Sequence, residues 1–439
     1  MQIKVFKFGG ASVKDAAGFR QVSSIIQTFS DDDLIIVVSA LGKTTNAMEE
    51  IVSNLFTKQD SAMSLLQQVR DRHEEIINTL FENHNQDKIA VKAEVNRLFS
   101  ELEHKIADFE DGHYDWVYDQ IVSYGELLSS TVLSHYLKAL DLDNSWIDIR
   151  DVIRTDETYR DAKVIWDITQ VRAENLIKPA VNQYKRVVTQ GFIGQTQQHA
   201  TTTLGREGSD YTAAILTYCL DAESMHIWKD VPGVLTGDPR LFNDVTLLPR
   251  LSYKEAIEMT YYGAKVIHPK TIKPIQNKQI PLYVRPFSDP ASTGTLISDE
   301  KELTYPPIVV IEPGQTLLHI STNDFSFVAE HHLSRIFMLL AKYRLKVNMM
   351  RNTAISFSVC VGQILDRIQG FTEELGKEFK VITDQDLELI TVLHYNDDLL
   401  EDMKRNKLIL FEEKLPETVQ LVVRKLPKMT RKDNGDSFR

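Results

Sequence analysis

Several short strings in the chain place glycines, lysines and hydroxyl residues where phosphate and amino-acid chemistry would use them. The first is Lys7-Phe8-Gly9-Gly10-Ala11-Ser12. Two adjacent glycines let the backbone approach a ligand closely and point N–H groups at phosphate. A lysine just before them can set its ammonium on the oxygens of a phosphoryl group in transfer. The same string also serves as a plain strand-to-helix turn, and it is not the G-x-x-x-x-G-K-S/T loop of other nucleotide sites. Val38-Ser39-Ala40-Leu41-Gly42-Lys43-Thr44-Thr45-Asn46 is a second strand end, rich in small hydroxyl residues. It suits a polar substrate or a helix N-cap. Ser123-Tyr124-Gly125-Glu126-Leu127-Leu128-Ser129 sets one acid in an apolar helical context. Glu126 there can hold an ammonium group, or take part in an ordinary i, i+4 pair.

The richest string runs from Gly191-Phe192-Ile193-Gly194 to Thr201-Thr202-Thr203-Leu204-Gly205-Arg206-Glu207-Gly208-Ser209-Asp210. Tyr211, Ala214, Ile215, Tyr218 and Cys219 follow at helical spacing. A helix N-terminus behind a Gly-rich loop favours anions. Arg206 offers a bidentate fork for a carboxylate. Asp210 is expected as an N-cap, an organiser of nearby lysines, or both. Trp228-Lys229-Asp230-Val231-Pro232-Gly233-Val234-Leu235-Thr236-Gly237-Asp238-Pro239-Arg240 fits a nucleotide-edge loop with Arg240 on phosphate, or a plain surface loop. Tyr262-Gly263-Ala264-Lys265-Val266-Ile267-His268-Pro269 adds Lys265 as a phosphate lysine. His268 reads as a packed or capping residue. No metal ligands are expected, because no His, Cys or Asp cluster has zinc spacing.

These strings need elements to position them. Ile3 to Phe8 and Leu34 to Val38 read as strands around a helix at Ala16 to Thr28. The continuous β-branched run Leu34-Ile35-Ile36-Val37-Val38 suits a strand buried on both faces of a parallel sheet. The class is therefore α/β. Residues 46–140 are charged, nearly free of Gly and Pro and helical in period, and are expected as a lid. Further strands are expected at Ser145–Ile149, Arg186–Thr189, Ser224–Trp228 and Ile280–Val284. Thr304-Tyr305-Pro306-Pro307 reads as a linker. Beyond it the pattern βαββαβ marks a ferredoxin-like unit at 308–385. A second, shortened copy is expected at 386–425, lacking a final helix and strand, with a polar tail at 426–439.

The chain has 439 residues, 43% hydrophobic and 26% charged, an ordinary globular balance that allows about three domains. Its net charge of −12 argues against a nucleic-acid partner. Two cysteines are too few for a disulfide scaffold, so a reduced cytoplasmic setting is expected. No apolar run approaches a bilayer span, and no membrane partner is expected.

Taken in order, Lys-Phe-Gly-Gly, Val-Val-Ser-Ala, Ser-Tyr-Gly-Glu, Gly-Phe-Ile-Gly, Leu-Gly-Arg-x-Gly-Ser-Asp, Trp-x-Asp-Val-Pro-Gly and Gly-Ala-Lys-Val-Ile-His-Pro resemble the aspartate kinases of the amino-acid kinase superfamily. The C-terminal pair resembles that family's tandem ACT regulatory domains. The resemblance implies an amino-acid-kinase parallel-sheet sandwich over 1–300, with a helical lid, followed by two ACT-like α+β units. It implies phosphorylation of the L-aspartate side-chain carboxylate by ATP with Mg²⁺, held mainly through the phosphates. Lys7 would stabilise the transferring group, with Asp210 orienting the lysines. Glu126 would hold the substrate ammonium and Arg206 its α-carboxylate, with Ser39, Thr45 and Ser209 lining the pocket. Gly9, Gly10, Lys229, Asp230, Leu235, Arg240 and Lys265 would face ATP. A homodimer or larger assembly through the ACT units is the family expectation.

The chain departs from the family at Ala11, Glu207, Lys229 and Leu235, where Thr, Gly, a small residue and often an aromatic are usual. The effector loop Phe327-Val328-Ala329-Glu330-His331-His332 lacks the usual Gly-Phe-Leu-like turn. The strand Val347-Asn348-Met349-Met350 lacks the usual Asp. Weakened or altered feedback by lysine or threonine is the expectation. The shortened second ACT unit is expected to leave an open edge. Two other readings are a kinase for glutamate, acetylglutamate or UMP, and a catalytically silent amino-acid-binding regulator. A fused homoserine dehydrogenase is not expected, since no G-x-G-x-x-G string occurs.

Overall fold

The computed structural model describes residues 2–58, 61–264, 267–323 and 326–426. Two compact units emerge: 1–234 with 247–260 and 265–303, and 235–246 with 261–264 and 304–439. The tail beyond 426 lies outside the described residues.

The first unit begins β1 (Ile3–Phe8), α1 (Ala16–Thr28), β2 (Asp33–Val38). Asp15 caps α1 by accepting the Gly18 N–H at 2.8 Å. Five helices follow: α2 (Thr44–Thr57), α3 (Ala62–Leu80), α4 (Asn85–Ala107), α5 (Tyr114–Val122) and α6 (Tyr124–Ala139). The first three bury one stripe each, as an amphipathic layer does. Helix α6 is buried on nearly every side, so it is part of the core and not of a lid. Next come β3 (Ser145–Ile147), α7 (Trp166–Tyr184), β4 (Arg186–Gln190), β5 (Ile193–Gln195), β6 (Thr201–Thr203), α8 (Gly208–Cys219) and β7 (Ser224–Lys229). The unit closes with β8 (Arg250–Ser252), α9 (Tyr253–Tyr261), α10 (Pro269–Asn277), β9 (Leu282–Pro286) and β10 (Thr295–Ser298).

The main sheet has the order β3-β4-β2-β1-β7-β9-β10-β8. From β3 to β9 every pairing is parallel, and β10 runs antiparallel to β9. The carboxyl ends of β1, β2, β4 and β7 therefore lie together along one rim, where open α/β sheets bind ligands. Leu34 to Val38 are fully buried, as a central strand covered on both faces requires.

The second unit contains β11 (Ile308–Thr322), α11 (Glu330–Lys342), β12 (Val347–Asn352), β13 (Ser356–Gly362), α12 (Leu365–Leu375), β14 (Phe379–Leu393), α13 (Asp397–Lys404), β15 (Lys407–Lys414) and β16 (Thr418–Lys425). Its sheet order is β12-β13-β11-β14-β16-β15, antiparallel throughout. Strands β11 and β14 each run through both ferredoxin-like halves. The register pairs Ile308–Pro313 with Glu388–Leu393. The strand that the second half lacks after β16 is thus supplied by residues that precede the first half. That edge is closed, and the edge strands of the sheet are β12 and β15.

Candidate active site

The rim of the first unit holds a cavity of about 540 Å³. Lys7 stands on β1 in register with Val37 and Ile227 of the neighbouring strands. Its Nζ lies 2.6 Å from Asp210 Oδ1, and Lys229 Nζ lies 3.5 Å from Oδ2. Asp210 occupies the first turn of α8, and the residue at the N-cap is Glu207. Of the two roles expected for Asp210, the organiser of lysines is the one observed. Burial opposes its charge, but Lys7 and Lys229 prevail and hold the carboxyl below its ordinary range.

Glycines make the close approaches. A Cβ at Gly191 would lie 2.4 Å from Ser209 Cβ, so the β4 end can meet the start of α8 only as glycine. A Cβ at Gly10 would lie 2.8 Å from the Ala40 carbonyl oxygen, where the loop after β1 passes the loop after β2. Glu207 adopts a left-handed φ of 54° at a position where glycine costs least.

Glu126 sits in the first turn of α6, 3% exposed. Its Oε1 accepts the Ala40 N–H at 3.3 Å, while Oε2 is buried without a partner. Burial pushes its carboxyl up to about 8. The surface i, i+4 pair is therefore not its role. Ser129, one turn on, donates to the Ser39 carbonyl at 2.8 Å and ties α6 to the end of β2.

Lys7, Gly10, Ser39, Thr45 and Glu126 line the cavity together with Arg206, Ser209, Asp210 and Lys229. Arg206 is exposed, its fork unpaired by any ion pair among the described residues. Gly9 is not in the lining; a Cβ there would lie 3.4 Å from Lys7 Nζ. Asp230 is exposed and is not in the lining. Leu235 and Arg240 are not in the lining either. Their loop belongs to the second unit. There Thr236 O accepts from Val309 N at 2.8 Å, and Phe242 packs on the Val309, Ile390 and Val392 cluster. Arg240 folds onto Asp238 at 2.6 Å. Lys265 lies outside the described residues. His268 caps α10, its Nδ1 accepting from Lys270 N at 3.2 Å.

Three lining residues escaped the sequence reading: Glu49, Tyr118 and Arg160. Tyr118 donates to Glu49 Oε1 at 2.5 Å, and the Arg160 guanidinium stacks 4.4 Å from the Tyr118 ring centroid. They come from two helices and a loop far apart in sequence, with no shared motif to announce them.

A rim of lysines, backbone N–H groups and a helix N-terminus next to an acid and an arginine suits phosphoryl transfer to a small zwitterion. The amino acid kinase family model matches residues 2–286, and the chain belongs to that family. Within it, the similarities lie with aspartokinases. The chain is 32% identical over 374 residues to the lysine-sensitive aspartokinase 3 of Escherichia coli, covering 82% of this chain and 78% of that protein. It is 33% identical to a chloroplastic bifunctional aspartokinase/homoserine dehydrogenase 2 of Arabidopsis thaliana, over 69% of this chain but 33% of that longer protein. The crystal structure of E. coli aspartokinase III in complex with aspartate and ADP superposes with a TM-score of 0.81 at 26% identity, covering 96% of each chain.

Proposed function

We propose that the chain transfers the γ-phosphoryl group of ATP to the side-chain carboxylate of L-aspartate, giving 4-phospho-L-aspartate, the entry to aspartate-derived amino acids. The observation that carries this is the Lys7–Asp210–Lys229 triad on the same cavity as Glu126 and Arg206. A carboxylate of pKa about 4 is ionised at neutral pH, so the nucleophile needs no general base. What the site must do is bring two anions together, and Lys7 and Lys229 offset that repulsion. Asp210 holds both ammonium groups in place and keeps either from wandering to solvent. Glu126 receives the substrate ammonium and Arg206 the α-carboxylate, which fixes the direction of the side chain. Gly10 and the start of α8 offer N–H groups to the phosphates, and Mg²⁺ arrives on those phosphates. A silent regulator is disfavoured because Lys7, Arg206 and Lys229 all line the cavity. Two buried free cysteines fit a reduced, cytoplasmic setting.

The test is aspartate-dependent ADP release with Mg²⁺-ATP, the acyl phosphate being trapped by hydroxylamine. Lys7→Ala is expected to lower turnover roughly 1000-fold with folding intact. Turnover that survives in Lys7→Ala, or fails to depend on aspartate, would sink the reading.

A further inference from the structure

We propose that Asp119 is a positioning residue for aspartate binding, tying α5 to the loop of Arg160 and to β6 so that the arm bearing Arg206 is held over the cavity. The inference rests on the reading of Arg206 as the fork for the substrate α-carboxylate.

Asp119 is completely buried. Its Oδ1 accepts the Thr203 hydroxyl at 2.7 Å. Its Oδ2 accepts the Thr203 N–H at 2.9 Å and the Arg160 N–H at 3.0 Å. Every partner is a donor, and no counter-ion stands within ion-pair distance among the described residues. Burial pushes the carboxyl up to about 6, while the donated hydrogen bonds and the Arg160 charge oppose that rise. A buried carboxylate without a counter-ion is costly unless its acceptor capacity is needed.

The geometry shows what that capacity holds. Arg160 has a left-handed φ of 67°, and its N–H is turned onto Asp119. Ala162 N donates to Thr203 O at 3.0 Å, so the loop and β6 form one patch. Two residues beyond Thr203, a Cβ at Gly205 would lie 2.6 Å from Asp161 Oδ1 and 3.1 Å from Arg160 O. The loop is therefore the bed on which Gly205 rests, and Arg206 is next in the chain. Among the described residues Arg206 makes no ion pair, so its backbone sets where the fork points. The same acid also fixes Arg160, which lines the cavity beside Tyr118.

The test compares Asp119→Asn, Thr203→Val, Thr203→Ser and Arg206→Gln in steady-state kinetics, with thermal unfolding as the folding control. In Asp119→Asn the amide NH₂ must face a donor, and at least one hydrogen bond is lost. KM for aspartate is expected to rise roughly tenfold, with kcat and KM for ATP within about twofold. Thr203→Val, which removes the hydroxyl donor alone, is expected to raise the same KM about threefold, and Thr203→Ser to restore it. Should Asp119→Asn not fold, the Thr203 pair decides. An unchanged KM for aspartate, or equal rises in both KM values, overturns the positioning role provided Arg206→Gln does raise KM for aspartate. If Arg206→Gln leaves it unchanged, the reading of Arg206 itself fails.

Discussion

Glu126 is the residue whose physics most directly links stability to function. Its carboxyl is pushed up to about 8 by burial, so the fold favours its protonated form at neutral pH. In the unfolded chain it would ionise near its ordinary value of about 4.3. Between those values the folded state binds more protons than the unfolded one, so this group's contribution to stability falls as pH rises toward 8. Glu126→Gln removes that loss. Its unfolding temperature is expected to exceed that of the parent at pH 8, with the difference shrinking as pH falls and vanishing below about pH 4, in paired thermal scans. The same variant is expected to lose roughly 100-fold in aspartate-dependent turnover, because the substrate ammonium no longer meets a charge. Aspartate binding should also release protons below pH 8, readable as a buffer-dependent heat in calorimetry. A stability difference that does not change with pH would refute this account. The departures Glu207 and Lys229 differ in kind: Lys229 joins the Asp210 pair, whereas Glu207 places a strained, negative residue in the lining.

At the scale of elements, the second unit is where the chain differs most from the pattern it resembles. The turn into α11 is closed locally, with Ala329 N–H donating to His332 Nδ1 at 3.2 Å. On β12, Asn348 donates its amide to Gln315 Oε1 at 2.8 Å. An amide that donates gives a ligand ammonium no counter-charge. Lysine is therefore expected to inhibit weakly, without strong effect at micromolar concentration. Asn348→Asp restores a carboxylate and is expected to sharpen inhibition by lysine roughly tenfold in the same titration. Strong micromolar inhibition of the parent chain would contradict this reading. The helical layer teaches a related lesson. Residues 46–140 read as one lid, yet α6 is a core helix, and burial of its polar face around Ser129 and Ser130 is satisfied by hydrogen bonds to carbonyls.

For the whole molecule, we expect a homodimer formed through the second unit. Its edge strands β12 and β15 carry exposed Met350 and Leu408, and open edges invite pairing. Sedimentation velocity is expected to give twice the chain mass at micromolar concentration. A monomer that retains full turnover would remove assembly from the account. The long strands β11 and β14 also make the two ferredoxin-like halves one sheet, so damage to one half is expected to reach the other. Pro313 and Gly314 bulge where the halves meet, which lets one strand serve both.

Much was legible in the linear chain because it is local. Continuous β-branched runs can be buried only in a central strand, and helical periodicity is a property of neighbours. Lys7, Gly10 and Lys229 stand out in the linear chain because phosphate chemistry needs those residue types at strand ends, and all three line the cavity. What the chain could not announce is long-range. Whether Asp210 caps a helix or holds two lysines depends on β1 and β7 being adjacent. That the loop of Leu235 and Arg240 joins the second unit depends on Thr236 meeting Val309, 73 positions later. The strand that completes the second ferredoxin-like half precedes the first half, out of sequence order. Asp119, Tyr118 and Arg160 matter through burial and hydrogen bonds to partners 41 or more residues away. The sequence by itself determined which chemistry is available and which segments are strands and helices. The tertiary structure alone decided which charges share a cavity, because Coulomb and hydrogen-bond energies depend on distance in space and not along the chain.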